Sequence, residues 1–107
     1  MVERLQRVIE SRKGQDPSSS YTASLLAKGM PKILAKITEE SGELCDALTE
    51  EEDPRVVSEA ADLLYHVLVG FVDRGIEAET VAMELARRFG VSGLVEKASR
   101  AHSSSDE

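Results

Sequence analysis

Tryptophan is absent, and two tyrosines and two phenylalanines are the only aromatic residues among 107. Sheet cores draw heavily on aromatic and β-branched side chains. Here packing must come from Leu, Val, Ile and Ala, a palette that suits helix on helix. The single cysteine, Cys45, excludes an internal disulfide and any cysteine cluster for zinc or iron–sulfur. No apolar run approaches the ~18 residues of a membrane span, and the residues after Met1 carry no apolar signal core. Basic residues are the minority, 13 against 20 acidic, for a formal net charge of -7. That balance gives no electrostatic footprint for nucleic acid. The expectation is a cytoplasmic protein with neither a membrane nor a nucleic-acid partner. A thin aliphatic core in so short a chain also favours pairing with a second copy.

Apolar spacing predicts a first helix over 2–12, where Leu5, Val8 and Ile9 recur at three and four residues. The Gly-, Pro- and Ser-rich run 13–20 reads as a loop. Ser20 is placed to cap a short helix over 21–28, closed by Gly29. Pro31 suits the first turn of the next helix. Its inward face is expected to be Ile33, Leu34, Ile37, Ser41, Leu44, Cys45 and Leu48. The acidic run 50–53 ends it, and Asp53 then caps a further helix opened by Pro54 and running to about Asp73. A last substantial helix spans 77–89, with Val81, Leu85 and Phe89 in its seam and Gly90 closing it. Residues 91–101 allow one more short turn, and 102–107 read as a disordered tail. The prediction is all-α: a small bundle of four to five helices in one domain over 1–101.

Two of these helices carry different polar stripes. At about 100° per residue, Lys32, Lys36, Glu39, Glu43, Asp46 and Glu50 share one face, with Glu40 at its edge. Alone, that is an ordinary solvated helix face. The next helix is apolar nearly all round from Ala60 to Val72 and is expected to lie buried between others. Yet Glu59, Asp62 and His66 line up along it, with Arg55 and Asp73 at the ends of the line. The short connection between the two helices sets them antiparallel, so Glu39, Glu40 and Glu43 approach Glu59 and Asp62. Several carboxylates in one pocket repel strongly, and two lysines cannot neutralise them all. A hard divalent cation can. Oxygen ligands with no Cys and at most one His point to Mg²⁺ or Mn²⁺ rather than zinc. The chemistry this suggests is metal-assisted attack of water on a phosphoryl group.

The pattern Glu39-Glu40-x-x-Glu43, fifteen residues, then Glu59-x-x-Asp62 resembles the signature of the all-α nucleoside triphosphate pyrophosphohydrolases, which include the MazG proteins. Segments Glu10–Lys13, Ser20–Ala23, Lys28-Gly29, Lys32–Ile37, Glu59–His66 and Glu84–Arg88 look more narrowly like phosphoribosyl-ATP pyrophosphohydrolase. That resemblance implies Mg²⁺-dependent hydrolysis of phosphoribosyl-ATP to phosphoribosyl-AMP and pyrophosphate, the second step of histidine biosynthesis. It implies a stand-alone form, since 107 residues leave no room for the cyclohydrolase to which many bacteria fuse this domain. It also implies a homodimer paired through helices.

Carried over by position, the metal ligands are Glu40, Glu43, Glu59 and Asp62. Glu39 either binds a second metal or orients the attacking water. Lys36 and Lys32 are the implied phosphate contacts, and Arg12 and Tyr21 match recurrent family positions placed with the substrate. His66 is either a partner that orients a carboxylate or a core histidine satisfied locally. Thr38 stands where the family commonly has Gly. Two other readings compete: a house-cleaning (d)NTP pyrophosphohydrolase of the MazG type, and a non-catalytic helical interaction module whose acidic seam is structural.

Overall fold

A computed structural model describes residues 1–90. These fall into two compact units, Met1–Ile76 and a second that begins at Glu77. The first holds α1 (Val2–Arg12), a 3-10 turn (Pro17–Ser19), α2 (Tyr21–Lys28), α3 (Met30–Glu50) and α4 (Asp53–Arg74), and the second holds α5 (Ala78–Phe89). All regular structure among the described residues is helical, as expected. The expected turn over 91–101 and the tail 102–107 lie outside the described residues.

Helix ends follow the local chemistry. The Ser20 side chain accepts the amide of Ala23 at the start of α2, satisfying a donor that the first turn would otherwise leave open. Asp16 does the same for Ser18 ahead of the 3-10 turn. Gly29 has φ 81, a backbone conformation costly for any residue with a Cβ, and it turns the chain from α2 directly into α3. At the far end of α4, Gly75 is left-handed, and the Ile76 amide donates to Phe71 O while that of Gly75 donates to Val72 O. This paired arrangement satisfies two carbonyls of the last turn. The Ile76 carbonyl then accepts Gln6 Nε2 at 2.9 Å. Gln6 is buried on α1, so a polar side chain fastens α1 to the end of α4.

The core of the first unit is aliphatic: Ile9, Ala23, Leu25, Leu26, Ile33, Ala47, Leu68, Val69 and Val72 are buried. Each large side chain there contributes about 1.5–3 kcal/mol. α3 and α4 run antiparallel as the principal pair. Gly70, near the end of α4, faces Ile33 and Ile37 near the start of α3, with room for no more than van der Waals contact.

Four expectations need correction. On α3 the inward face is centred on Ile33, Glu40 and Ala47, seven residues apart, whereas Leu34, Cys45 and Leu48 are exposed. Apolar character placed the stripe about one residue too far round, because a carboxylate occupies its middle. On α4, Val57 and Leu64 are 67% and 61% exposed, so this helix is covered on one face only. Asp53 is the first helical residue of α4 and Glu52 precedes it as cap, without a side-chain hydrogen bond. The seam of α5 is not an inward one, for Val81, Leu85 and Phe89 are all exposed.

Candidate metal and active site

Glu40 sits at the centre of the buried face of α3, with only 6% of its surface exposed. One turn earlier, Lys36 Nζ lies 3.6 Å from Glu40 Oε2 and 3.2 Å from Glu39 Oε1. The ammonium is held above its ordinary pKa, first by the hydrogen bond to Glu39, against the opposing effect of burial. Helical spacing produces this cluster directly, since residues three and four apart face each other.

On α4 the same spacing sets Arg55 against Glu59, with Arg55 Nη2 2.7 Å from Glu59 Oε2. Glu59 is 3% exposed. Burial pushes its carboxyl above the ordinary range; Arg55 pulls it down, and the adjoining Glu43 and Asp62 push it up again. Asp62 itself is exposed. Its backbone carbonyl accepts from His66 Nδ1 at 2.8 Å, and Tyr21 Oη lies 2.9 Å from His66 Nε2. A carbonyl can only accept, so Nδ1 donates to it, and Nε2 shares the second hydrogen bond with the tyrosine hydroxyl. His66 is thus a buried histidine with both nitrogens hydrogen-bonded. Tyr65 packs edge-on to His66 and shares a hydrogen bond with Thr22. Burial raises the Tyr21 phenol pKa, and the charges of Lys36, Glu40 and Glu39 reach it, which places the aromatic group beside the carboxylates.

Ligand-capable oxygens from Glu39, Glu40 and Glu43 lie within 4.8 Å of one another, and so do those from Glu40, Glu59 and Asp62. Glu40 belongs to both groups. All five predicted carboxylates are therefore brought together between α3 and α4. Two of their oxygens, Glu40 Oε1 and Glu59 Oε1, are buried without a hydrogen-bond partner among the described residues. An unpartnered buried carboxylate oxygen is among the costliest groups a fold can hold. Two of them, from opposite helices and in an all-oxygen set, are matched to a hard divalent cation such as Mg²⁺ or Mn²⁺.

The structure brings Lys36 and Tyr21 to the cluster. It leaves Lys32 exposed and Arg12 half-buried at the end of α1, neither contacting the carboxylates among the described residues. In the sequence, Arg55 stands only as the end of a polar line. Its four-residue spacing from Glu59 was the available signal for an ion pair. Thr22–Tyr65 and Gln6–Ile76 had no such signal, because each joins residues distant in sequence.

Fold and site define a class: an all-helical protein with opposed carboxylates, suited to a divalent cation, between two antiparallel helices. The profile of the family described as Phosphoribosyl-ATP pyrophosphohydrolase matches residues 2–89, and the chain belongs to that family. It is 53% identical over 100 residues to the Phosphoribosyl-ATP pyrophosphatase of Trichlorobacter lovleyi, covering 94% of this chain and 93% of that protein. It is 50% identical over 101 residues to that of Paramagnetospirillum magneticum, with 94% and 93% covered. Against the Histidine biosynthesis bifunctional protein HisIE of Helicobacter hepaticus it is 49% identical over 102 residues, spanning 95% of this chain but only 44% of that longer protein.

Proposed function

We propose that this chain hydrolyses phosphoribosyl-ATP to phosphoribosyl-AMP and pyrophosphate, the second step of histidine biosynthesis, with Mg²⁺ or Mn²⁺ held by Glu40, Glu43, Glu59 and Asp62. The observation that carries the reading is the pair of unpartnered buried oxygens on Glu40 and Glu59, inside a span shared with relatives named for this activity. The bound cation would supply Lewis acidity toward a phosphoryl oxygen and toward the attacking water.

The chain's own residues do the rest. Glu39 is exposed at the edge of the cluster, and Lys36 holds its Oε1, which orients the carboxylate to take the proton from water. Water oxygen forms a bond to the phosphorus next to the ribose, the bond from that phosphorus to the bridging oxygen breaks, and pyrophosphate leaves. Lys36, already half sheltered from solvent, offsets charge on the phosphates. Lys32 and Arg12 serve the outer parts of the substrate, and Tyr21 the part nearest the aromatic group. His66 holds Tyr21 in place.

Incubating the purified protein with phosphoribosyl-ATP and Mg²⁺ and measuring pyrophosphate release tests the reading. No release from it, under conditions where the protein hydrolyses dNTPs, would assign the chain to nucleotide house-cleaning instead.

Two copies of the chain are proposed to pair through α3 and α4. Leu34 and Leu48 on α3, and Val57 and Leu64 on α4, recur at multiples of seven residues and are exposed. Large apolar side chains repeating on one face of a helix mark a surface that gains by being covered. No helix among the described residues is long and apolar enough to cross a membrane. The cytoplasm is the proposed compartment, where the substrate and Mg²⁺ would both be present.

A further inference from the structure

We propose that Arg55 is a second diphosphate-binding residue, at the opposite end of the carboxylate cluster from Lys36, kept on Glu59 until a divalent cation takes that carboxylate. The identity of the ligand as a diphosphate rests on the function proposed above; the release of Arg55 does not.

Chain direction orders the cluster. Along α4 the order is Arg55, Glu59, Asp62, His66, and α3 runs the other way. His66 bonds Tyr21, and Tyr21 feels the charge of Lys36. Lys36 and the aromatic group Tyr21, Tyr65 and His66 therefore share one end of the cluster. Arg55 lies a turn beyond Glu59, at the other end. A polyphosphate laid across the five carboxylates would meet one cation at each end.

Both cations are bound in the same way. Lys36 and Arg55 each sit four residues before a buried glutamate and neutralise its Oε2, while Oε1 of that glutamate has no partner. An i,i+4 pair on a helix surface is ordinarily worth little. Here Glu59 is buried while the Arg55 side chain is 58% exposed, so the carboxylate depends on the arginine more than the arginine on it. A divalent cation on Glu59 removes that dependence. The freed guanidinium offers a planar fork of donors suited to phosphate. The polarity of the site follows: the flat base and its ribose belong with Tyr21, the phosphate nearest the ribose with Lys36, and the departing pyrophosphate with Arg55.

The test uses the full chain as wild type, Arg55→Gln and Arg55→Lys, with Mg²⁺ alone and then inorganic pyrophosphate at saturating Mg²⁺, both by calorimetry. Arg55→Gln should bind Mg²⁺ about threefold tighter, having no ion pair to break, and pyrophosphate about tenfold weaker. Arg55→Lys should recover pyrophosphate affinity to within about threefold of wild type. Pyrophosphate affinity within about twofold of wild type in Arg55→Gln, or Mg²⁺ affinity unchanged or weaker, overturns the proposal. Should Arg55→Gln not fold, the Arg55 Nε–H resonance of the wild-type protein decides: it should move on adding Mg²⁺ and again on adding pyrophosphate, and a resonance indifferent to both overturns the assignment. A wild type that binds pyrophosphate through Arg55 yet leaves phosphoribosyl-ATP intact would refute the proposed substrate and leave Arg55 standing.

Discussion

Replacing Glu40 by Gln should stabilise the metal-free protein while removing its response to Mg²⁺. Glu40 is buried, and its ligand oxygen lies no more than 4.8 Å from those of Glu59 and Asp62. At an effective dielectric near 20, two like charges at that separation repel by about 3.5 kcal/mol, and the exposed Asp62 counts for only about 1. Against this, the substitution gives up the attraction of Lys36 at 3.6 Å, about 4–5 kcal/mol on the same scale. These two Coulomb terms offset each other, and Glu39 and Glu43, whose oxygens lie within 4.8 Å of that of Glu40, add further repulsion that the substitution relieves. The new amide can in addition donate to the Glu59 carboxylate, which has an oxygen within 4.8 Å and one without a partner, and a hydrogen bond to a charged group is worth about 1.5–3 kcal/mol. In a unit of this size that is a rise in Tm of at least about 5 °C. Millimolar Mg²⁺ at about 100 times its Kd would add about 2.7 kcal/mol to the wild type and much less to the variant. Thermal melts in EDTA and in Mg²⁺, for both proteins, check the two effects. A metal-free Glu40→Gln protein less stable than wild type, or an undiminished Mg²⁺ shift, would refute the crowded-carboxylate account.

Glu59 predicts a pH dependence. A carboxyl whose folded pKa is raised holds its proton more tightly folded than unfolded, so its favourable contribution is present below the ordinary value of 4.5 and is lost as pH rises through the raised pKa. In EDTA, wild type should therefore lose stability relative to Glu59→Gln as pH climbs from 4.5 toward neutrality; a difference independent of pH would show that Glu59 is not strained. Lys36→Ala should lower kcat/KM for phosphoribosyl-ATP by about tenfold or more, split between a higher KM and a lower kcat, and unchanged steady-state kinetics would remove Lys36 from the site. Leu64, 61% exposed in the single chain, lies on the apolar face proposed to pair; Leu64→Glu should convert the proposed dimer to monomer in sedimentation, and an unaltered mass would place the contact elsewhere.

Helix existence was legible because it rests on local signals. Ser20, Gly29, Pro31 and Gly75 each fix an end through their own backbone or side-chain chemistry, and the structure uses all four. What covers each helix is not local. Leu34, Leu48, Val57 and Leu64 are apolar and sit at core-like spacing, so hydrophobic pattern alone counts them as interior. They are outside in a single chain. Pattern records that a side chain gains by leaving water, without recording whether its own chain or a second copy provides the cover.

Glu40 shows the opposite failure, and it joins fold to function. Its neighbours on the buried face of α3 are Ile33 and Ala47, one step of seven residues to either side. A folding code would fill position 40 with Leu or Ile. Hydrophobic pattern, weighing polarity alone, moved Glu40 to the edge of a solvated stripe. Yet the surrounding apolar side chains are what strip water from its carboxylate and from that of Glu59 across the interface. Exposed carboxylates would be hydrated, would attract a divalent cation only weakly, and would leave it screened by solvent. Dehydrated ones repel each other and hold unpartnered oxygens until a cation arrives. The same burial that makes Glu40 a poor core residue would therefore give the proposed cation site its affinity, which accounts for the residue least consistent with the helix pattern lying at the centre of the carboxylate cluster.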